Sequence, residues 1–281
     1  MPYFAHEGQR IAYTEYGDGP RAVVLVHGLL LSQRMQEPLA RELARHGNRV
    51  ITLDVLGHGR SDRPRDMSRY SMSIFATQVL ALLEHLELEE AVVGGTSLGA
   101  NVTLELVSLA PERVRGMIIE MPVLDNALMA CALAFTPLMV ALTFGEPIMR
   151  AVARVTGLVP ERALPLWGDI VLDLFRQDPA PSAAILHGIF FGRTAPHSSE
   201  RRTFTQPALI IGHHRDPVHP FSDAGMLADE LPNAQLLEAS SLLELRMSPE
   251  RLTGEITTFV QRCWRRRARG RAGGRRVAAR A

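Results

Sequence analysis

The chain has no lysine: all 31 of its basic residues are arginine. We read this as codon bias in a GC-rich genome, and it excludes no function. Cysteine is nearly absent too. Cys131 and Cys263 stand far apart in unrelated contexts. That leaves no disulfide framework and no metal-ligand spacing, so a reducing, cytoplasmic setting is expected, with no metal and no cofactor. The N-terminal Met1–Gln9 stretch is mixed and polar and lacks the charged-then-apolar pattern of a signal peptide. Acids are missing from the last stretch, Arg262 to Ala281, which holds nine arginines. The formal net charge of +1 therefore hides an acidic body and a basic tail; without the tail the body carries about −8. The tail has no interleaved aromatics, so nucleic acid is not an expected partner, and residues 265–281 read as a disordered, solubilising extension.

One long stretch lacks charge altogether. Ala127 to Phe144 is apolar over about 18 residues, near the length needed to span a bilayer. Pro137 sits near its middle, where it would break or kink a helix. A pair of buried helices is the expected reading, and a membrane-surface contact the alternative.

The rest of the chain alternates. Ala22–Val26, Arg49–Leu53, Ala91–Val93 and Val114–Ile119 are short apolar runs of the kind that form buried parallel strands. Helical patterns lie between them, roughly over Gln33–His46, Met72–Leu86 and Ser97–Leu109. Arg10–Tyr16 alternates as a strand and ends at the turn cluster Gly17-Asp18-Gly19-Pro20. The alternation stops between Pro122 and about Pro196, where only helix-like segments occur. It resumes with strands over Ala208–Ile211 and Gln235–Glu238 and helices over Ser222–Leu231 and Ser248–Trp264. The expected class is α/β: a mostly parallel sheet with helices on both faces, interrupted by a helical insertion. The core is assigned to residues 1–121 and 197–264, and the insertion to 122–196.

Four segments carry the chemistry. Val92-Val93-Gly94-Gly95-Thr96-Ser97-Leu98-Gly99-Ala100 contains G-x-S-x-G between an apolar strand and an apolar helix. Glycines let neighbouring backbone pass close to a strained turn, which exposes the Ser97 hydroxyl at a helix N-terminus. The plainer reading is a serine N-cap in a glycine-rich turn. Upstream, Val23 to Val26 runs into His27-Gly28-Leu29. Asp54-Val55-Leu56-Gly57-His58-Gly59-Arg60-Ser61-Asp62 has the form D-x-x-G-x-G-x-S-D. Ala208 to Ile211 leads into Gly212-His213-His214-Arg215-Asp216-Pro217-Val218-His219-Pro220.

Together these segments resemble the α/β-hydrolase superfamily, in its esterase, lipase and C–C hydrolase group. The resemblance implies an eight-stranded sheet and reads the insertion as a cap over the active site. It makes Ser97 the nucleophile and the backbone N–H groups of Leu29 and Leu98 the oxyanion hole. It makes Asp216, by its spacing to Pro220, the catalytic acid; an Asx-Pro turn is the plainer reading. His27 and His58 are then loop-shaping residues. One piece is missing. The family's base follows the last strand, and Pro249-Glu250-Arg251 sets the register there, so Ser241 or Leu242 stands where histidine should. No histidine occurs after His219. Candidates for a relocated base are His214, which we prefer, then His213, with His187 and His197 in or near the insertion. Glu120, at a position some members use for the acid, could orient it.

The expected function is a serine-dependent hydrolase of a hydrophobic ester or related carbonyl substrate. The apolar insertion supports that substrate class, with Met129, Met139, Met149, Phe135, Phe144, Phe175, Phe190 and Phe191. The missing histidine motivates the alternative, a non-hydrolytic member of the fold acting as a lyase or ligand-binding protein.

Overall fold

A computed structural model of the chain describes residues 2–160, 163–241 and 243–278, with the side chains of the last helix described as far as Arg265. Eight strands form one sheet: β1 Tyr3–His6, β2 Gln9–Tyr16, β3 Arg21–Val26, β4 Asn48–Leu53, β5 Ala91–Thr96, β6 Val114–Glu120, β7 Ala208–His213 and β8 Ala234–Ala239. Their order is β1-β2-β4-β3-β5-β6-β7-β8. β2 runs antiparallel to both β1 and β4, and all other pairs are parallel. β1 is the strand that sequence reading missed. It is a four-residue edge strand with only Phe4 buried, too short to display a period.

The central strands are apolar runs because both faces are covered. Val23 to Val26 are at most 1% exposed, and fully burying each such side chain is worth about 1.5–3 kcal/mol. Helices α1 Glu37–Arg45, α2 Met72–His85 and α3 Leu98–Leu109 make the early crossovers. Between β6 and β7 come α4 Leu128–Phe144, α5 Glu146–Thr156, α6 Leu166–Arg176, α7 Pro179–Phe190 and the short α8 Ser198–Arg201; the described residues there include no strand. Then follow α9 Phe221–Glu230, α10 Glu244–Met247 and α11 Glu250–Ala278. α11 continues into the stretch expected to be disordered, whose arginines and alanines are good helix formers.

The chain lays down β3, adds β4 on one side, then crosses back to place β5 on the other. That reversal opens a crevice beyond the carboxyl ends of β3 and β5, the place where open α/β sheets bind ligands. The insertion is tied down around it. Asn101 of α3, fully buried, accepts from the Val123 N–H and donates to the carbonyls of Val123 and Thr194. Asp223, at the start of α9 and also fully buried, accepts from the N–H groups of Leu124, Asn126 and Ala127.

The apolar run of the insertion differs from expectation. It is one helix, α4, with Pro137 inside it, and Leu142 is its only buried residue. Its outer side is exposed.

Candidate active site

β5 ends at Thr96, and α3 starts at Leu98, so Ser97 alone makes the turn. Its backbone is left-handed, with φ 54° and ψ −108°, a conformation that costs about 1–3 kcal/mol and survives only where the surroundings impose it. They do so here. The Ser97 N–H donates to the Glu120 carbonyl at 2.9 Å, and the Ser97 carbonyl accepts from the Asn101 N–H at 3.1 Å. A Cβ at Gly95 or Gly99 would run into the Val26 carbonyl, so the G-x-S-x-G glycines permit the close passage of β3 and the elbow.

Ser97 Oγ lies 2.9 Å from His219 Nε2, and His219 Nδ1 lies 2.8 Å from Asp216 Oδ2. A carboxylate only accepts, so Nδ1 carries the proton and Nε2 is left to accept from the serine hydroxyl. Asp216 is fixed in turn by the N–H groups of Val218 and His219, at 2.8 and 2.9 Å. Burial pushes the Asp216 carboxyl up, but the hydrogen bonds from His219 and Val218 outweigh it and hold the group below its ordinary range. The short loop after β7 therefore supplies both partners, three residues apart.

His214, the expected base, is elsewhere. Its Nε2 pairs with Glu238 at 2.9 Å, its ring stacks on Phe221, and its side chain is 52% exposed. His213 is buried, with Nδ1 donating to the Ser241 carbonyl at 3.0 Å. Both precede the turn that aims the loop at Ser97: His213 sits between Ser241 and Glu120, and His214 faces Glu238 of β8. His187, at the end of α7, contacts Thr143. The signal that pointed to His219 was available: it is the last histidine, it stands three residues after the candidate acid, and Pro220 ends its loop. Of the two positions where the family's base falls, Ser241 is described and Leu242 lies outside the described residues.

Glu120 has Arg246 as its main partner, and of the candidate bases His213 lies beside it. The Arg246 guanidinium donates to both its oxygens at 2.9 and 2.7 Å, and Thr96 Oγ1 donates at 2.5 Å. Burial pushes this carboxyl up, but the Arg246 charge, His213 at 3.5 Å and the hydrogen bonds bring it down to about 2. Arg246 comes from α10, in the segment after β8.

Leu98 is the first residue of α3, so its N–H has no intrahelical acceptor. Leu29 sits in the turn closed by the Leu31 N–H on the Gly28 carbonyl, next to Leu30 at φ 56°. Leu29, Ser97 and Leu98 share the wall of a cavity of about 390 Å³, within the range of small-molecule sites. The remaining walls are Met72 together with residues of α4, α7 and their flanks, including Val123, Leu128, Phe135, Ile189 and Phe190, and no charged side chain lines it among the described residues. Of the apolar insertion residues named above, only Phe135 and Phe190 line it; Met139 and Met149 pack on the core, and Met129, Phe144, Phe175 and Phe191 are exposed. Cys131 also lines it. Burial, with Asp223 and Asp216 nearby, pushes its thiol up to about 11, so it presents little thiolate at neutral pH. Another cavity, of about 400 Å³, is lined by Arg34, Asp54, Arg63 and Asp173 and includes none of the Ser97 constellation.

His27 and His58 are fully buried and shape the loops. His27 donates to the Gly28 carbonyl and accepts from the Val55 N–H, joining the loops after β3 and β4. Burial holds both rings below the ordinary histidine range.

Known proteins resemble this chain in sequence or in fold. An uncharacterised protein of Mycobacterium tuberculosis is 27% identical over 278 residues, which is 90% of this chain and 79% of that protein. The enol-lactonase from Burkholderia xenovorans LB400 superposes with a TM-score of 0.73 at 22% identity, over 92% of this chain and all of that one (100%). A thermophilic esterase from Thermogutta terrifontis does so with a TM-score of 0.73 at 20% identity, over 93% and 97%. At those identities the structural likeness speaks for the fold. The family model described as alpha/beta hydrolase fold matches residues 21–240, and the chain belongs to that family.

Proposed function

We propose that the protein is a serine-dependent hydrolase of hydrophobic esters or related carbonyl compounds. The observation that carries this is the hydrogen-bonded series from Ser97 through His219 to Asp216, at 2.9 and 2.8 Å. Ser97 Oγ attacks the substrate carbonyl carbon while His219 Nε2 takes its proton. Asp216 keeps the ring in the required tautomer and stabilises its cation. The tetrahedral oxyanion is met by the N–H groups of Leu29 and Leu98, aided by the N-terminal end of α3. His219 then returns its proton to the leaving oxygen, the alcohol departs, and the acyl group stays on Ser97. In the second half His219 draws a proton from water, whose oxygen attacks the acyl carbon, and Ser97 is released with its proton restored. The helical insertion acts as the cap: its uncharged cavity wall suits an apolar acyl group and offers no cation to a charged one.

The test is covalent labelling with a fluorophosphonate probe. The wild type is expected to label, and Ser97→Ala to remain unlabelled. Labelling that persists in Ser97→Ala, or a wild type inert over hours, would overturn the proposal.

A further inference from the structure

The outer side of the cap is as apolar as the inner one. Met129, Leu133, Phe144, Ile148 and Leu158 are 71 to 82% exposed. A helix facing water normally turns a polar face to it, and α4 has no charged residue at all. Exposed apolar surface of this extent, on two adjoining helices and the turn after them, marks an interaction site. α4 and α5 meet at 96°, so the pair does not form one straight span, and among the described residues no single helix is long and apolar enough to cross a membrane.

We infer that the outer face of α4 and α5 docks on an anionic lipid surface and holds the Ser97 cavity beside it. Two observations select this occupant over a second copy of the chain. The first is charge. From Leu128 to Pro160 the only acid is Glu146, which is paired with Arg150, while Arg154 is exposed. Within residues 128–160 a twofold contact offers Arg154 only Glu146, which is already on Arg150, whereas anionic headgroups meet an exposed guanidinium directly. The second is continuity. α4 carries the exposed face and also lines the cavity through Leu128, Cys131, Ala132 and Phe135, and Leu128 is itself 46% exposed. Lipid contact keeps the rim of the cavity next to apolar solutes, whereas a twofold contact covers it. The link to the cavity rests on the proposed hydrolase reading; the docking itself does not.

Vesicle co-sedimentation of the full-length protein tests it without reference to activity. With vesicles of phosphatidylcholine and phosphatidylglycerol the wild type is expected in the pellet. The double variant Leu133→Glu/Phe144→Glu should stay in the supernatant with an unchanged far-ultraviolet circular dichroism spectrum. Arg154→Gln should weaken binding to these vesicles and leave binding to pure phosphatidylcholine unaltered. A tail variant, Arg265→Gln/Arg266→Gln/Arg267→Gln, should still pellet. Three results overturn the inference: a wild type that does not pellet, a double variant that pellets like the wild type, or a lipid-free dimer in sedimentation velocity that Leu133→Glu/Phe144→Glu dissolves.

Discussion

Two loops at the same edge of the sheet divide the work in an unexpected way. The one after β7 holds Asp216 and His219, a carboxylate and an imidazole three residues apart, with the imidazole on Ser97 Oγ. The one after β8, where the family's histidine is looked for, instead sends Arg246 to Glu120 and Thr96 beneath the nucleophile turn. One loop is polar and aimed into the crevice. The other is an anchor, held by Glu244 to Ser240 and Arg251 and by Trp167 Nε1 on the Arg246 carbonyl. The difference teaches that geometry, and not the strand that delivers a side chain, decides which imidazole reaches Ser97.

The largest effect tests the first loop. His219→Ala is expected to lower kcat/KM on p-nitrophenyl esters by roughly 10³–10⁴-fold with the fold intact. Asp216→Asn should fall in the same range, because an amide in that place can donate to Nδ1 and favour the wrong tautomer. Retention of wild-type turnover by His219→Ala would return the base to one of the other histidines.

The second loop should answer in stability. Arg246→Met leaves the Glu120 carboxylate, 3% exposed, without its cation. Breaking a buried pair on one side costs about 3–5 kcal/mol, which thermal or urea unfolding would register. The double variant Glu120→Gln/Arg246→Met should recover much of that loss. Equal stability of Arg246→Met and the wild type would show the pair to be dispensable.

A smaller, pH-dependent effect follows from the same pair. The folded Glu120 titrates at about 2 against an ordinary value of 4.5. A lowered carboxylate contributes stability above its unfolded value, and that contribution is lost as pH falls from 4.5 toward 2. Urea midpoints measured from pH 5 to pH 3 should therefore drop more steeply in the wild type than in Glu120→Gln/Arg246→Met. Parallel slopes would contradict the assignment.

These loops also show where sequence reading reaches and where it stops. The strands β3 to β7 are legible because burial on both faces demands unbroken apolar runs, and the elbow because a serine forced to positive φ needs glycines at 95 and 99. The structure sets His219, and not His214, against Ser97 Oγ; register counted from Pro249-Glu250-Arg251 back along β8 locates a loop but does not say which loop brings an imidazole to the serine. Whether His213, His214 or His219 meets Ser97 depends on how the β7 loop turns, and no periodicity encodes that. α4 failed for a different reason. Apolar composition stood in for burial, and a helix that is apolar on every side reads the same whether protein or another surface covers its outer face.

The smallest expected change separates the two readings of the β7 loop most sharply. His214 adjoins His213, lies two residues before Asp216 and would be the natural substitute for a base that is absent from β8. Its side chain is 52% exposed and pairs with Glu238, itself 62% exposed. A solvent-facing pair of this kind contributes little, and losing the stacking on Phe221 at the surface should stay within about 0.5 kcal/mol. His214→Ala should thus keep its unfolding midpoint and a kcat/KM within about twofold of wild type. Side by side with His219→Ala on one ester series, that near-silence is the stronger half of the contrast. A general structural disturbance of the loop would lower both variants, whereas the hydrogen-bond geometry at Ser97 requires that only one of them fall.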